Sequence, residues 1–138
     1  MQLIVNCDGG ARGNPGPAAC AFVVTDHSGQ IVYQQGEYLG QATNNQAEYA
    51  AVWLAVNWLA NNYPDVETEF FLDSQLVVNQ LQGNFKIKND VLKQKLAEIN
   101  NFIFVSHLKI AGFNYVSREK NFAADNLVNQ TLDHHLSV

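Results

Sequence analysis

The chain has 138 residues, the size of one ordinary domain that buries about two thirds of its unfolded surface, with no room for a second. Its composition, 47% hydrophobic and 15% charged, is that of a globular chain and excludes a disordered one. A net charge of −5 at first opposes a nucleic-acid partner, but residues 1–73 hold one basic residue, Arg12, against eight acids, whereas residues 74–138 hold seven against five.

The start, Met1-Gln2-Leu3-Ile4-Val5, lacks a basic run and reaches Asp8 too soon for a signal peptide. No apolar run approaches the roughly 18 residues of a membrane span. These features predict a cytoplasmic protein without membrane contact. Cys7 and Cys20 lie in runs that could pair as neighbouring strands, but two cysteines are no disulfide framework, and both read as small reduced core residues.

Along the chain, Leu3 to Asp8 reads as a short apolar strand, and Gly9 to Pro17 as a loop too rich in Gly and Pro for any element to continue through it. Ala18 to Thr25 and Ile31 to Leu39 follow as strands around a turn at His27-Ser28-Gly29, the second and third members of a meander with the first. From Asn44 to Asn61, apolar residues at 47, 50, 51, 54, 55, 58 and 59 recur at helical spacing behind the capping residues Thr43 and Asn44. Pro64 breaks the chain, and Val66 to Leu72 reads as a strand. Ser74 to Leu81 and Asp90 to Asn101 read as helices flanking a loop, Phe104 to Val116 as a strand, and Asn121 to His134 as a closing helix. Three antiparallel strands followed by strands alternating with helices imply an α/β fold with a mixed sheet covered by helices. Trp53, Trp58, Phe70, Phe71 and Phe104 fall in apolar patterns and are expected in the core rather than stacked on bases.

Four acids stand where such a fold has no ordinary use for charge. Asp8 and Asp73 each end an apolar strand, while Glu48 and Asp125 lie in helical segments rich in Ala and Leu. Burying several uncompensated carboxylates costs several kcal/mol each unless they pair, protonate or bind a cation. A hard divalent ion satisfies all of them with oxygen ligands. The segments around them have ordinary readings too: Asp8-Gly9-Gly10 with Gly13-Asn14-Pro15-Gly16 as a hairpin loop, Thr43 to Glu48 as a helix start, and Asp73-Ser74-Gln75 as a cap. The other reading is that the glycines let a phosphate backbone approach and that Asn14, Asn44, Asn45 and Gln75 supply amide donors to phosphate and sugar hydroxyls.

Taken together, Asp8-Gly9-Gly10 with Gly13-Asn14-Pro15-Gly16, Thr43-Asn44-Asn45-x-x-Glu48, Leu72-Asp73-Ser74-Gln75, and Arg118-Glu119-x-Asn121-x-x-Ala124-Asp125-x-Leu127-x-Asn129 resemble the ordered motifs of type 1 ribonuclease H. The resemblance spans nearly the whole chain. It implies one catalytic domain, residues 1–138, with a ribonuclease H-like five-stranded mixed sheet, strands 1 to 3 antiparallel and the rest parallel, flanked by helices.

It also implies cleavage of the RNA strand of an RNA–DNA hybrid to 5′-phosphate and 3′-hydroxyl ends. Two Mg²⁺ ions about 3.5–4 Å apart, which Mn²⁺ can replace, would be held by Asp8, Glu48, Asp73 and Asp125. Asp8 would bridge them, Glu48 and Asp73 would complete the water side, and Asp125 the leaving-group side. The hybrid would be recognised through 2′-hydroxyls in its minor groove. Gly9, Gly10, Asn14, Asn44, Asn45, Ser74 and Gln75 are the matching substrate residues, with Thr43 at a DNA-strand phosphate. The rival readings are a non-catalytic nucleic-acid-binding module and another nuclease of the wider superfamily. A monomer needing no protein partner is expected.

Two departures from the better-known members stand out. The loop Tyr115-Val116-Ser117-Arg118-Glu119-Lys120-Asn121 has no His where many members carry one before the last acid. Arg118, which can hold a phosphate, or Glu119, which can move a proton or attract the metal, is the candidate replacement. His107, His134 and His135 are poorly placed, the last two in an expected frayed terminus. The segment Gly83 to Asn89 is too short and too weakly charged for the basic protrusion of some members, so the chain resembles the compact forms, with Lys86 and Lys88 expected at the DNA strand.

Overall fold

Leu3, Val5 and Cys7 are fully buried while Gln2, Ile4 and Asn6 between them are only partly so, the pattern of a strand with one face against a core, and they lie in the middle strand of the sheet. A computed structural model describes residues 2–137. Met1 and Val138, part of the expected domain, lie outside the described residues. The strands are β1 (Gln2–Ala11), β2 (Gly16–Thr25), β3 (Ile31–Ala42), β4 (Glu67–Leu72) and β5 (Ile110–Tyr115), in the spatial order β3-β2-β1-β4-β5. β1 to β3 pair antiparallel, and β4 and β5 extend the sheet in parallel from β1. This is the five-stranded mixed sheet expected.

Helices cover both faces. α1 (Asn44–Asn62), α2 (Gln75–Leu81) and α3 (Asp90–Ser106) lie on one side, where Val5, Phe22, Phe70, Leu72, Val52 and Leu59 form the larger core. α4 (Phe122–Leu136) covers the other side, its Val128 and Leu132 packed on Ala19 and Ala21. Small residues let it sit close, and a Cβ on Gly36 would lie 2.3 Å from Thr131 Oγ1. β2 is therefore buried on both faces, which explains its nearly unbroken apolar run.

Several expected boundaries are corrected. β1 continues through Gly9, Gly10 and Ala11, which pair with Cys20, Ala19 and Ala18. Only Arg12 to Pro15 lie outside the ladder, closed by Arg12 N–H donating to the Pro17 carbonyl at 2.9 Å. Glycines weaken a strand but do not forbid one, and here the neighbouring strand supplies the pairing. β3 runs on to Ala42 rather than stopping at Leu39.

The largest correction concerns Phe104 to Val116. Its first part is the end of α3, which closes at His107 in the left-handed conformation (φ 56°). Ile99, Phe102 and Ile103 recur at helical spacing toward the core, which turns Phe104 outward, 77% exposed. Phe104 is thus not a core residue. Phe70 and Trp58 are packed as expected, while Trp53 is partly exposed and meets Phe102 edge-on. α4 does not fray at His134: it continues to Leu136, with the His135 ring stacked on Tyr38 at 3.5 Å. Cys7 and Cys20 are both buried and free.

Gly9 places β1 against the first turn of α1: a Cβ there would stand 2.2 Å from the Ala47 carbonyl carbon and 2.4 Å from the Glu48 nitrogen. Backbone on both sides leaves no flexible atom to yield. Gly9→Ala is expected to destabilise the fold by about 2 kcal/mol or more, the scale of overpacking. Gly10→Ala, which meets nothing closer than 3.9 Å, is expected to leave the thermal melting temperature nearly unchanged.

Candidate active site at the carboxyl ends of the central strands

Asp8 lies near the end of β1 and Asp73 just beyond the end of β4, so the two central parallel strands deliver acids to one edge of the sheet. Glu48 comes from the first turns of α1, brought there by the close approach at Gly9. One ligand oxygen from each of Asp8, Glu48 and Asp73 lies within 4.8 Å of the others. Asp125, in the first turn of α4, lines a cleft with Asp8, Gly10 and Arg118. The four acids expected to converge do so, three of them tightly.

Their electrostatics record the crowding. Burial, then the charge of Asp73, lifts the Asp8 carboxyl to about 7. Glu48 is raised well above the ordinary carboxylate range, first by burial and then by Asp8, against which a Gly9 N–H hydrogen bond acts weakly. Asp73 is raised by burial, countered by the Asn121 amide and the Arg118 guanidinium. Glu48 Oε2 is, among the described residues, the buried side-chain atom left without a hydrogen-bond partner. A buried carboxylate oxygen is not normally left unpaired. An orphaned oxygen inside an all-carboxylate cluster fits a hard divalent cation, which takes oxygen ligands and few of them from the protein when waters and phosphate complete its shell.

Asn121 is the residue that sequence reasoning under-used. It stands in the motif of the fourth acid and reads there as a helix start, yet its side chain makes no cap. Instead it is buried, accepts from Asn6 Nδ2 at 3.0 Å, and donates to the Cys7 carbonyl at 2.8 Å and to Asp73 Oδ2 at 3.4 Å. It ties the start of α4 to β1 and to the acid after β4. An amide at a helix start that its own helix does not need was the available signal.

The amide residues assemble as a second feature. Thr43 caps α1, its hydroxyl accepting from Gln46 N–H at 3.1 Å while Gln46 Oε1 accepts from Thr43 N–H at 2.9 Å. The cap is complete without either asparagine. Asn14 Oδ1 accepts from Asn44 N–H at 2.9 Å, and Asn44 Oδ1 accepts from Ala11 N–H at 2.8 Å. Backbone N–H groups only donate, so each amide turns its oxygen to the protein, and among the described residues neither NH₂ group has a hydrogen-bond partner. Ser74 caps α2 through Val77 N–H at 3.2 Å, and Gln75 is exposed on its first turn. The space beside Gly9 belongs to α1 rather than to a ligand, whereas Gly10 borders the cleft.

Of the two candidate replacements for the missing His, Arg118 lines the cleft beside Asp8 and Asp125, and its charge reaches Asp73. Glu119 is exposed one residue further along the short 3-10 turn Arg118–Asn121. Lys86 and Lys88 are exposed in the loop between α2 and α3, where Lys86 borders a cleft with Phe85 and Lys93.

Comparison with known proteins agrees with this architecture. Residues 6–131 match the family described as reverse transcriptase-like. The crystal structure of LC11-RNase H1 in complex with an RNA/DNA hybrid is 40% identical, with a TM-score of 0.92 over 97% of this chain and 99% of that one. Ribonuclease HI of Halobacterium salinarum is 38% identical over 91% of this chain and 62% of its own length. The bifunctional protein Rv2228c of Mycobacterium tuberculosis is 35% identical over 96% of this chain. The chain spans 36% of that bifunctional protein, so it corresponds to one part of a longer relative. Sheet order, strand-end acids and matches along nearly its full length agree that the chain belongs to the type 1 ribonuclease H family.

Proposed function

We propose that residues 1–138 are one catalytic domain that hydrolyses the RNA strand of RNA–DNA hybrids, leaving 5′-phosphate and 3′-hydroxyl ends. The convergence of Asp8, Glu48 and Asp73 oxygens within 4.8 Å, with Asp125 across the cleft, carries this reading. The RNA/DNA hybrid held by LC11-RNase H1, whose fold this chain shares, supports the choice of substrate. Asp8, Glu48, Asp73 and Asp125 would hold a pair of Mg²⁺ ions, for which Mn²⁺ could substitute. When bound, they supply Lewis-acid activation of the attacking water and stabilisation of the leaving oxygen.

The protein's own groups do the rest. Glu48 and Asp73 orient the attacking side, and Asp125 stands on the leaving-group side. Asn14, Asn44, Asn45 and Gln75 donate to sugar hydroxyls and backbone oxygens in the minor groove, and Thr43 adjoins a DNA-strand phosphate. Ser74 holds Gln75 at the start of α2. Arg118 holds a phosphate at the position where many family members place a His, and Glu119 is the alternative there. Lys86 and Lys88 approach the DNA strand.

Incubating RNA–DNA hybrid, duplex RNA, duplex DNA and a four-way junction with Mg²⁺ or Mn²⁺ tests the reading. Cleavage of the hybrid's RNA strand is expected, and its absence with both metals overturns the proposal. Asp8→Asn is expected to lower hybrid cleavage by about 10³-fold or more, the equivalent of several kcal/mol of lost charge stabilisation, while hybrid binding persists.

The raised carboxyls also set a pH dependence for the metal-free protein. Unfolded carboxyls titrate near 4, whereas Asp8 titrates at about 7 in the fold, so between these values the folded state binds more protons. The stability this contributes is complete below about pH 4 and lost as pH rises through about 7. Melting temperature without metal is expected to fall between about pH 5 and about pH 8. Asp8→Asn should flatten that fall, and Mg²⁺ should restore stability more at the higher pH. A metal-free melting temperature that rises with pH over this window contradicts the assignment.

Lys86→Ala combined with Lys88→Ala is expected to weaken hybrid binding and to lower the slope of log affinity against log salt by about 2. An unchanged isotherm removes these lysines from the interface.

A further inference from the structure

Arg12 is the one basic residue in the acidic first half of the chain, and no family motif above assigns it a role. It sits in the tight turn between β1 and β2, between the paired Ala11 and the amide of Asn14. With Asp8, Gly10, Arg118, Asp125 and Asn129 it lines the cleft that separates this turn from α4. The cleft thus brings two of the four acids together with two arginines.

Arg12 Nη2 contacts Asp133 Oδ1 at 2.6 Å, spanning from the turn to the last part of α4. Both side chains are largely exposed, 41% and 69%, and such an ion pair is weak and easily exchanged. A surface pair explains little of the fold, which already joins β1 to β2 by the full ladder and α4 to β2 by packing. It does engage the guanidinium of an arginine that lines the cleft with Asp8 and Asp125. A guanidinium presents paired donors that match two phosphate oxygens, and phosphate competes readily with a solvated carboxylate.

We propose that this cleft is a phosphate subsite for the cleaved strand, in which Arg12 binds a backbone phosphate adjacent to the scissile one, on the α4 side of the acids. The ligand's identity rests on the hybrid-cleaving reading. Because Asp8 and Asp125 line the same cleft, the phosphate belongs to the strand whose linkage is cleaved beside them. Arg118 lines the same cleft, and Asp133 is the carboxylate that the phosphate displaces from Arg12.

The test measures hybrid binding by fluorescence anisotropy without divalent metal across a salt series, so that it stands or falls separately from cleavage. Arg12→Ala is expected to weaken binding about tenfold. It should also lower the salt slope by about 1. Arg12→Lys should recover the slope but only part of the affinity. Asp133→Ala breaks the same ion pair while keeping Arg12, and it should bind hybrid at least as tightly as the unaltered protein. Neutral methylphosphonates in the RNA strand should abolish the difference between Arg12→Ala and the unaltered protein, and those in the DNA strand should preserve it. The proposal is overturned if Asp133→Ala reproduces the loss, if the salt slope is unchanged in Arg12→Ala, or if only DNA-strand substitution removes the effect. Should the hybrid bind with the expected Arg12 dependence but remain uncut when Mg²⁺ is added, the catalytic reading fails and the subsite stands.

Discussion

The site depends on the contact between Gly9 and the first turn of α1. Main chain meets main chain there, with room for a hydrogen atom and no more. The next residue after Ala47 is Glu48, so the distance between strand and helix is also the distance between Glu48 and Asp8. A side chain at position 9 would push α1 outward and separate the two carboxyls. The capping box at Thr43 fixes where the helix starts, and hence which of its residues faces the strand end. Sheet order completes the geometry, because β4 lies beside β1 in parallel and sets Asp73 down one residue beyond Leu72, the partner of Cys7.

Packing like-charged groups this closely opposes folding, and the fold tolerates it by distributing the burden. Burial and the neighbouring carboxylates push Asp8 and Glu48 toward their protonated forms. Asp73 is steadied by the Asn121 amide and by Arg118, both from the segment that also starts α4. Asn121 makes three hydrogen bonds, two to β1 and one to the acid beyond β4, so the start of α4, which carries Asp125, is referenced to the strands that deliver Asp8 and Asp73. Preorganisation of this kind holds charges where a cation will need them, and the orphaned Glu48 oxygen is its remaining cost.

The same physics decides what could be read before the structure. Asp8, Glu48, Asp73 and Asp125 were legible because acids against apolar runs contradict their surroundings, and the alternation of strand and helix was legible through its two periods. Where backbone pairing overrides composition, the reading failed: Gly9 to Ala11 lie in β1 because Ala18 to Cys20 are there to pair with, which no local propensity reports. Phe104 was misplaced because an apolar run suits a strand or a helix equally, and only its phase relative to Ile99 and Phe102 separates the two. Asn121 was hidden because its partners lie more than a hundred residues away along the chain, apart from Asp73, itself 48 residues distant.

A chain of charge −5 in a family of nucleic-acid enzymes needs a way to approach phosphate without a large positive surface. On the proposed reading its amides provide one. Asn14 and Asn44 each spend their oxygen on a backbone N–H, which locks loop and helix together and turns both NH₂ groups into fixed donors. Such donors cost no net charge, and they recognise hydroxyls as well as phosphate, which cations alone do not. The cations that remain are placed rather than massed: Arg118 and Arg12 at the cleft beside the acids, and Lys86 and Lys88 on the loop beyond α2. On the proposed reading, affinity from so few charges would be modest and easily screened by salt, and geometry at the acid cluster would select where along a bound strand the chemistry occurs.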